Sequence, residues 1–238
     1  SRGLGDVYKR QEGTPGELEY LLYNGGSWVN SEAMDGTTSA SDAYIYGDLT
    51  LSSNSEINDI GVDSGGSLNI NSGTSLIVNG TSSGNVSYNR NLATTNWYLM
   101  SSPVVGETYD DAYVTDNSIA SGTDNPDNRA IATYTTNNDT WNYVQADASP
   151  ETFTNGIGYA VKRTLSGDVS FTGDMNTNND GVDIVLKTDG NRFNLLGNPY
   201  TSHIYSEVFL TYEDAISETS NLWVWNQGTG TSGAYEVK

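Results

Sequence analysis

Cysteine is absent from the 238 residues, and basic side chains are scarce: 10 Lys and Arg stand against 30 Asp and Glu, with a single histidine. The first absence excludes disulfides and thiolate metal sites within this sequence. The second leaves a formal net charge of −20. That balance argues against nucleic acid and anionic membrane surfaces as partners, because both demand Lys and Arg on a continuous face. Cationic partners, Ca²⁺ among them, stay open. No apolar run approaches the roughly 20 residues that a membrane-spanning helix needs. Lys, Glu and Ala are sparse beside Gly, Ser, Thr, Asn, Asp and Tyr, a composition of strands and turns that gives helices little to build on. The fold class expected is all-β.

Three stretches follow from the pattern along the chain. Residues 1–11, SRGLGDVYKRQ, read as translated sequencing-adapter sequence and are set aside from the fold. Residues 12–84 read as a short-strand repeat region, and residues 85–238 as a β-sandwich domain truncated at its C-terminus. In the repeat region, apolar pairs fall at Leu49/Leu51, Ile60/Val62, Leu68/Ile70, Leu76/Val78 and Val86/Tyr88, three of them spaced eight residues apart. Two residues within a pair share one face of a short strand, and the intervening DSGG, NSGT and NGTSSG are turn chemistry. This beat suits a narrow β-solenoid or a tight meander, and the lack of contrast between polar faces favours the solenoid.

From Asn89 the segments lengthen and become aromatic: NWYLMSS, TWNYVQA, GYAVKRT, DVSFTG, FNLLG and NLWVWNQ. NWYLMSSPVV and RFNLLGNPYT match at an offset of 96, aligning Trp97 with Phe193, Leu99 with Leu195 and Pro103 with Pro199. Each copy is followed by an aromatic strand, a Gly/Asn/Thr turn and a second aromatic strand. The region is therefore expected to be an antiparallel, jelly-roll-like sandwich of two related halves. The second half ends before counterparts of the strands around Tyr159 and Phe171, which is the ground for expecting a truncated C-terminus.

The run SLIVNGTSSGNVSYNRNLATTNWYLMSSPVVGETYDD, with TWNYVQA, FTNGIGYAVKR, DVSFTGDMN, FNLLGNPYTSHI and NLWVWNQ, resembles large secreted β-rich proteins of flavobacteria and related Bacteroidota. The resemblance runs from about Tyr44 to the last residue. It implies export by the type IX secretion route, whose C-terminal sorting domain would lie beyond this sequence, and an extracellular or outer-membrane-surface location. It carries no catalytic residue. Surface glycans or other cell-surface proteins are the partners expected.

Candidate sites are few. His203 would have to anchor any Ser-His-Asp triad or zinc site, and one imidazole without a thiol supplies neither. Carboxylates are too numerous for any pair to mark a glycosidase. DMNTNNDGVD sets Asp174, Asn176, Asn178, Asp180 and Asp183 as oxygen donors in the manner of a calcium loop. Asn179 stands where an EF-hand has glycine, and Val185 where it has its bidentate glutamate; an Asn/Asp-rich turn explains the stretch as well. TDNPDN, with Asp124, Asn125, Asp127 and Asn128, is a second candidate. Trp97, Trp141, Tyr143, Trp223 and Trp225 could stack on sugars. NLWVWNQ is apolar on both faces and is expected to be buried, which leaves Trp141 and Tyr143 as the carbohydrate candidates. The function expected is that of a non-catalytic, structural or adhesin-like β module, with a carbohydrate-binding module of a polysaccharide degrader as the alternative.

Overall fold

The computed structural model describes residues 20–29, 34, 40–146, 148–211, 221–228 and 233–238; the expectation for residues 1–11 lies outside them. Ten strands come first: β1 (Tyr20–Asn24), β2 (Ser27–Trp28), β3 (Asp42–Tyr46), β4 (Asp48–Leu51), β5 (Ser55–Ile57), β6 (Ile60–Val62), β7 (Ser67–Ile70), β8 (Leu76–Val78), β9 (Ser82–Ser83) and β10 (Val86–Leu92). They wind as a three-sided coil. β1, β3, β6 and β9 stack in parallel on one side, β4, β7 and β10 on the second, and β5 and β8 on the third. This is a β-solenoid segment of about three turns. Each short strand turns its apolar pair inward and its middle residue outward. Leu49 is thus stacked beside Leu68 and Leu68 beside Val86, while Ile57 stacks beside Val78.

The eight-residue beat is not the repeat. Ile60/Val62, Leu68/Ile70 and Leu76/Val78 are the three sides of one turn, and a residue meets its counterpart 17 to 22 positions on, as Ala43 meets Ile60 and Ile60 meets Ser82. The corners show why Gly and short polar residues sit between the strands. A Cβ on Gly66 would lie 2.9 Å from the backbone N and O of Gly47 in the neighbouring turn, so a side chain there would push the turns apart. Between turns, Asn58 donates to Asp42, Ser67 to Asp48 and Asn79 to Glu56, at 2.8 to 2.9 Å. β2 folds back antiparallel on β1 and closes that edge of the stack.

Six further strands build the antiparallel part: β11 (Tyr98–Met100), β12 (Val104–Val105), β13 (Asn128–Thr135), β14 (Thr140–Gln145), β15 (Tyr159–Val161) and β16 (Gly167–Met175). β10 is the seam. It runs parallel to β7 on one edge and antiparallel to β16 on the other, in register from Val86↔Gly173 to Leu92↔Gly167. The solenoid side therefore continues into the sheet β12-β16-β10-β7-β4 without a linker. A second sheet, β11-β15-β13-β14, is wholly antiparallel.

Aromatic rings fill the space between these sheets. Phe153 lies 4.8 to 5.3 Å, centroid to centroid, from Tyr109, Tyr113, Tyr159 and Phe171, edge to face with each. Tyr113 is brought there by α1 (Asp111–Asp116). The Asp110 side chain accepts from the Tyr113 N–H at 2.8 Å and caps the helix start. At the other end, where the last turn carries no basic residue, buried Arg163 donates Nε–H to the Asn117 carbonyl at 2.7 Å.

The second half follows the element order of the first. Residues 193–198 run beside 156–158, with a bridge between Ile157 and Leu196 and a bond from Gly158 N–H to the Leu195 carbonyl at 3.0 Å. Pro199 follows, then α2 (Ser206–Thr211), then a hairpin of β17 (Trp223–Asn226) and β18 (Ala234–Val237). The matched motifs touch at equivalent positions: a Cβ on Gly197 would fall 2.1 Å from that of Ser101, which is 96 residues earlier. Just beyond, Thr201 plugs the third side of the solenoid by accepting from Leu76 N–H at 3.1 Å and donating its hydroxyl to the Leu76 carbonyl at 2.7 Å. Among the described residues no helix is long and apolar enough to cross a membrane.

Candidate functional site

β14 is the edge strand of the second sheet, and alternation puts Trp141 and Tyr143 on one of its faces. They are 37% and 40% exposed. The hairpin register places Tyr134 opposite Trp141, with ring centroids 5.3 Å apart, and small, buried Ala132 opposite Tyr143. With only a methyl group across from it, Tyr143 reaches Trp97 at 6.0 Å. Burial first of all holds the Tyr134 phenol above its usual pKa; the Asn191 amide opposes this and the Asp139 carboxylate, which accepts the phenol proton at 2.6 Å, adds to it. Tyr134 is accordingly a neutral donor fixed in place.

The second-half hairpin extends this surface, and here the structure corrects an expectation. β17 is not buried on both faces: Trp223 is 47% and Val224 39% exposed, and Tyr235 on β18 is 49% exposed. The strand reads as buried because both faces are apolar, but β17 and β18 form a two-stranded sheet of their own, joined to the first half at Trp225. Trp225 makes that junction by donating its indole N–H to the Trp97 carbonyl at 3.2 Å. Its ring lies 5.0 Å from Tyr235, which in turn is 6.5 Å from Trp223. Gly233, at φ +82°, leaves room for it, since a Cβ there would come within 2.6 Å of the Trp225 ring. Seven rings thus line one connected surface, four of them well exposed. Tyr134 and Tyr235 are members that composition alone misses, although pairing across the two turns sets each opposite a tryptophan.

The calcium candidates lie beside the third side of the solenoid. Asp180 accepts from the Thr177 N–H and hydroxyl at 2.8 and 3.0 Å, which closes a local turn. Asn178 N–H bonds to the Val78 carbonyl at 2.8 Å, Asn179 donates to the Asn79 carbonyl at 2.9 Å, and Asn176 donates to the Pro199 carbonyl at 2.7 Å. Asp174 lies on β16 opposite Val105, and Asp183 is exposed beyond the turn. Together with Thr201 this segment covers the open edge of β8. Among the described residues no three His, Cys, Asp or Glu side chains gather to hold a metal ion. In TDNPDN, Asn125 accepts from the Asp127 N–H at 3.2 Å, again a turn contact. His203 is exposed after the plug. Gly80–Gly84 spells G-x-S-x-G, but Ser82 lies in solenoid strand β9, which leads to another strand and not to the helix that a nucleophile elbow requires.

These features define an all-β protein in which a stacked coil passes into antiparallel sheets that carry an exposed aromatic face. Residues 29–237 match the family described as a domain of unknown function, DUF8693, and the chain belongs to that family. The matched range spans solenoid and sheets alike. No curated protein and no solved structure matches the chain.

Proposed function

We propose that this chain is a non-catalytic β module of a large secreted or cell-surface protein, and that it attaches that protein to neutral glycans. The observation that carries the reading is the aromatic face: Trp141, Tyr143, Trp223 and Tyr235 are between 37% and 49% exposed, with Trp97, Tyr134 and Trp225 packed behind them. Ring faces stack on the apolar faces of pyranoses, and large exposed aromatic patches mark binding surfaces in general. The charge selects among glycans, since a net −20 repels polyanions such as alginate and leaves neutral polymers favoured. The surface location rests on the resemblance to exported Bacteroidota proteins.

A purely structural role, as stalk or spacer, is the second reading, favoured by the seam at β10 that joins coil and sheets rigidly. A glycan array separates the two. The binding reading expects signal on neutral glycans that falls by up to about tenfold in Trp141→Ala, the scale of one lost stacking contact, at unchanged melting temperature. Absence of signal on every glycan leaves the structural role.

A further inference from the structure

The match between the two halves does not stop at Pro199. Carried on at the same offset of 96, it aligns Tyr109 with Tyr205, Tyr113 with Phe209 and Val114 with Leu210, so α2 is the counterpart of α1. In the first half this motif is covered. Residues 107–109 run antiparallel to 151–153: Tyr109 N–H donates to the Glu151 carbonyl and Phe153 N–H to the Glu107 carbonyl, both at 2.9 Å, and Thr108 bridges Thr152. The Phe153 ring then packs against Tyr109 and Tyr113, and Tyr159, six residues on, packs against Tyr109.

The second half presents the same motif bare. Tyr205 is 81% exposed where Tyr109 is 6%, Ile204 is exposed, and Phe209 is half-buried where Tyr113 is buried. Among the described residues no strand pairs with 203–205, and no aromatic or branched aliphatic side chain after Met175 belongs to the buried core. An exposed aromatic face with an unpaired backbone edge beside it is a template for an added strand. We propose that α2 and residues 203–205 dock an extended segment of a partner protein patterned as residues 151–163 are: a strand ending in Phe, a Tyr six residues on, and a basic pair shortly after it, as in Lys162 and Arg163. The segment adds antiparallel along 203–205, accepts from Tyr205 N–H, donates to the His203 carbonyl, and lays its two rings over Tyr205 and Phe209. The covered motif of the first half sets this chemistry, and the basic pair suits a chain of net charge −20. A second copy is a poor occupant, because its own Phe153 and Tyr159 are buried in its core and two such acidic bodies repel.

The probe is a fluorescein-labelled peptide of residues 150–164, PETFTNGIGYAVKRT, titrated with the whole chain by fluorescence polarisation. Saturable binding at one site is expected. Tyr205→Ser should weaken it about tenfold or more, the scale of one aromatic side chain losing its burial, and should melt as the wild type does, since Tyr205 is exposed. The peptide carrying Phe153→Ser and Tyr159→Ser should not bind. Absence of saturation at about 100 μM, or a Tyr205→Ser chain or substituted peptide that binds as well as the parent, overturns the proposal. Self-association of the chain in sedimentation that is lost in Tyr205→Ser gives the face to a second copy and overturns it too.

Discussion

Phe153 is the residue at which the two sheets and α1 meet, with four rings within 5.3 Å of its own. Phe153→Ala leaves a cavity that four edge-to-face partners cannot collapse into, and it should cost about 3–5 kcal/mol, read by urea denaturation. Glu107 sets a pH dependence at the same scale. Burial first of all raises its carboxyl above the usual pKa, the Thr172 and Thr108 N–H groups oppose the shift, and Asp110 adds to it. A raised folded-state pKa means the proton is held more tightly in the folded state. The stabilisation is complete below the ordinary carboxylate value and is lost as pH rises through Glu107's own. Urea stability should therefore climb as pH falls from 7 into the acid range, and Glu107→Gln, which copies the neutral form, should flatten that climb relative to wild type. An unchanged slope would show that Glu107 does not titrate as its surroundings imply.

At the scale of elements, the plug at the end of the solenoid is the device that composition hides. Asp180 holds the turn that delivers Asn178 to Val78, so Asp180→Ala should lower the melting temperature by several degrees, the size of one or two lost, partly buried hydrogen bonds. The drop should be the same in chelator as in millimolar Ca²⁺. A drop seen only with Ca²⁺ present would assign the segment to metal binding. The apolar pairs of the coil were legible in sequence because period two marks each side directly. The coil length was not, because corners of unequal length make the whole turn vary between 17 and 22 residues while three sides happen to share a spacing of eight. The match between Trp97–Pro103 and Phe193–Pro199 was legible too, and it marks the place where Ser101 meets Gly197. What an Asn/Thr turn docks against cannot be read locally. Nor does a strand with two apolar faces, as at Trp223–Asn226, reveal that its hairpin stands free of a larger sheet.

For the whole molecule, β10 fixes how the parts act together. One strand serves the last turn of the solenoid and the first antiparallel sheet, so the coil and the sheets share a hydrophobic core running from Ile45 through Leu68 to Phe171 and Tyr159. The aromatic face is carried on the far sheet and hairpin, turned away from that core, in a molecule whose charge disfavours acidic polymers. Affinity electrophoresis tests this directly, in native gels cast with hydroxyethylcellulose, galactomannan or alginate. The account predicts retardation of the wild-type chain by a neutral polymer, none by alginate, and restored mobility in Trp141→Ala/Trp223→Ala. Free migration in both neutral polymers, or retardation that survives the loss of both tryptophans, would contradict it.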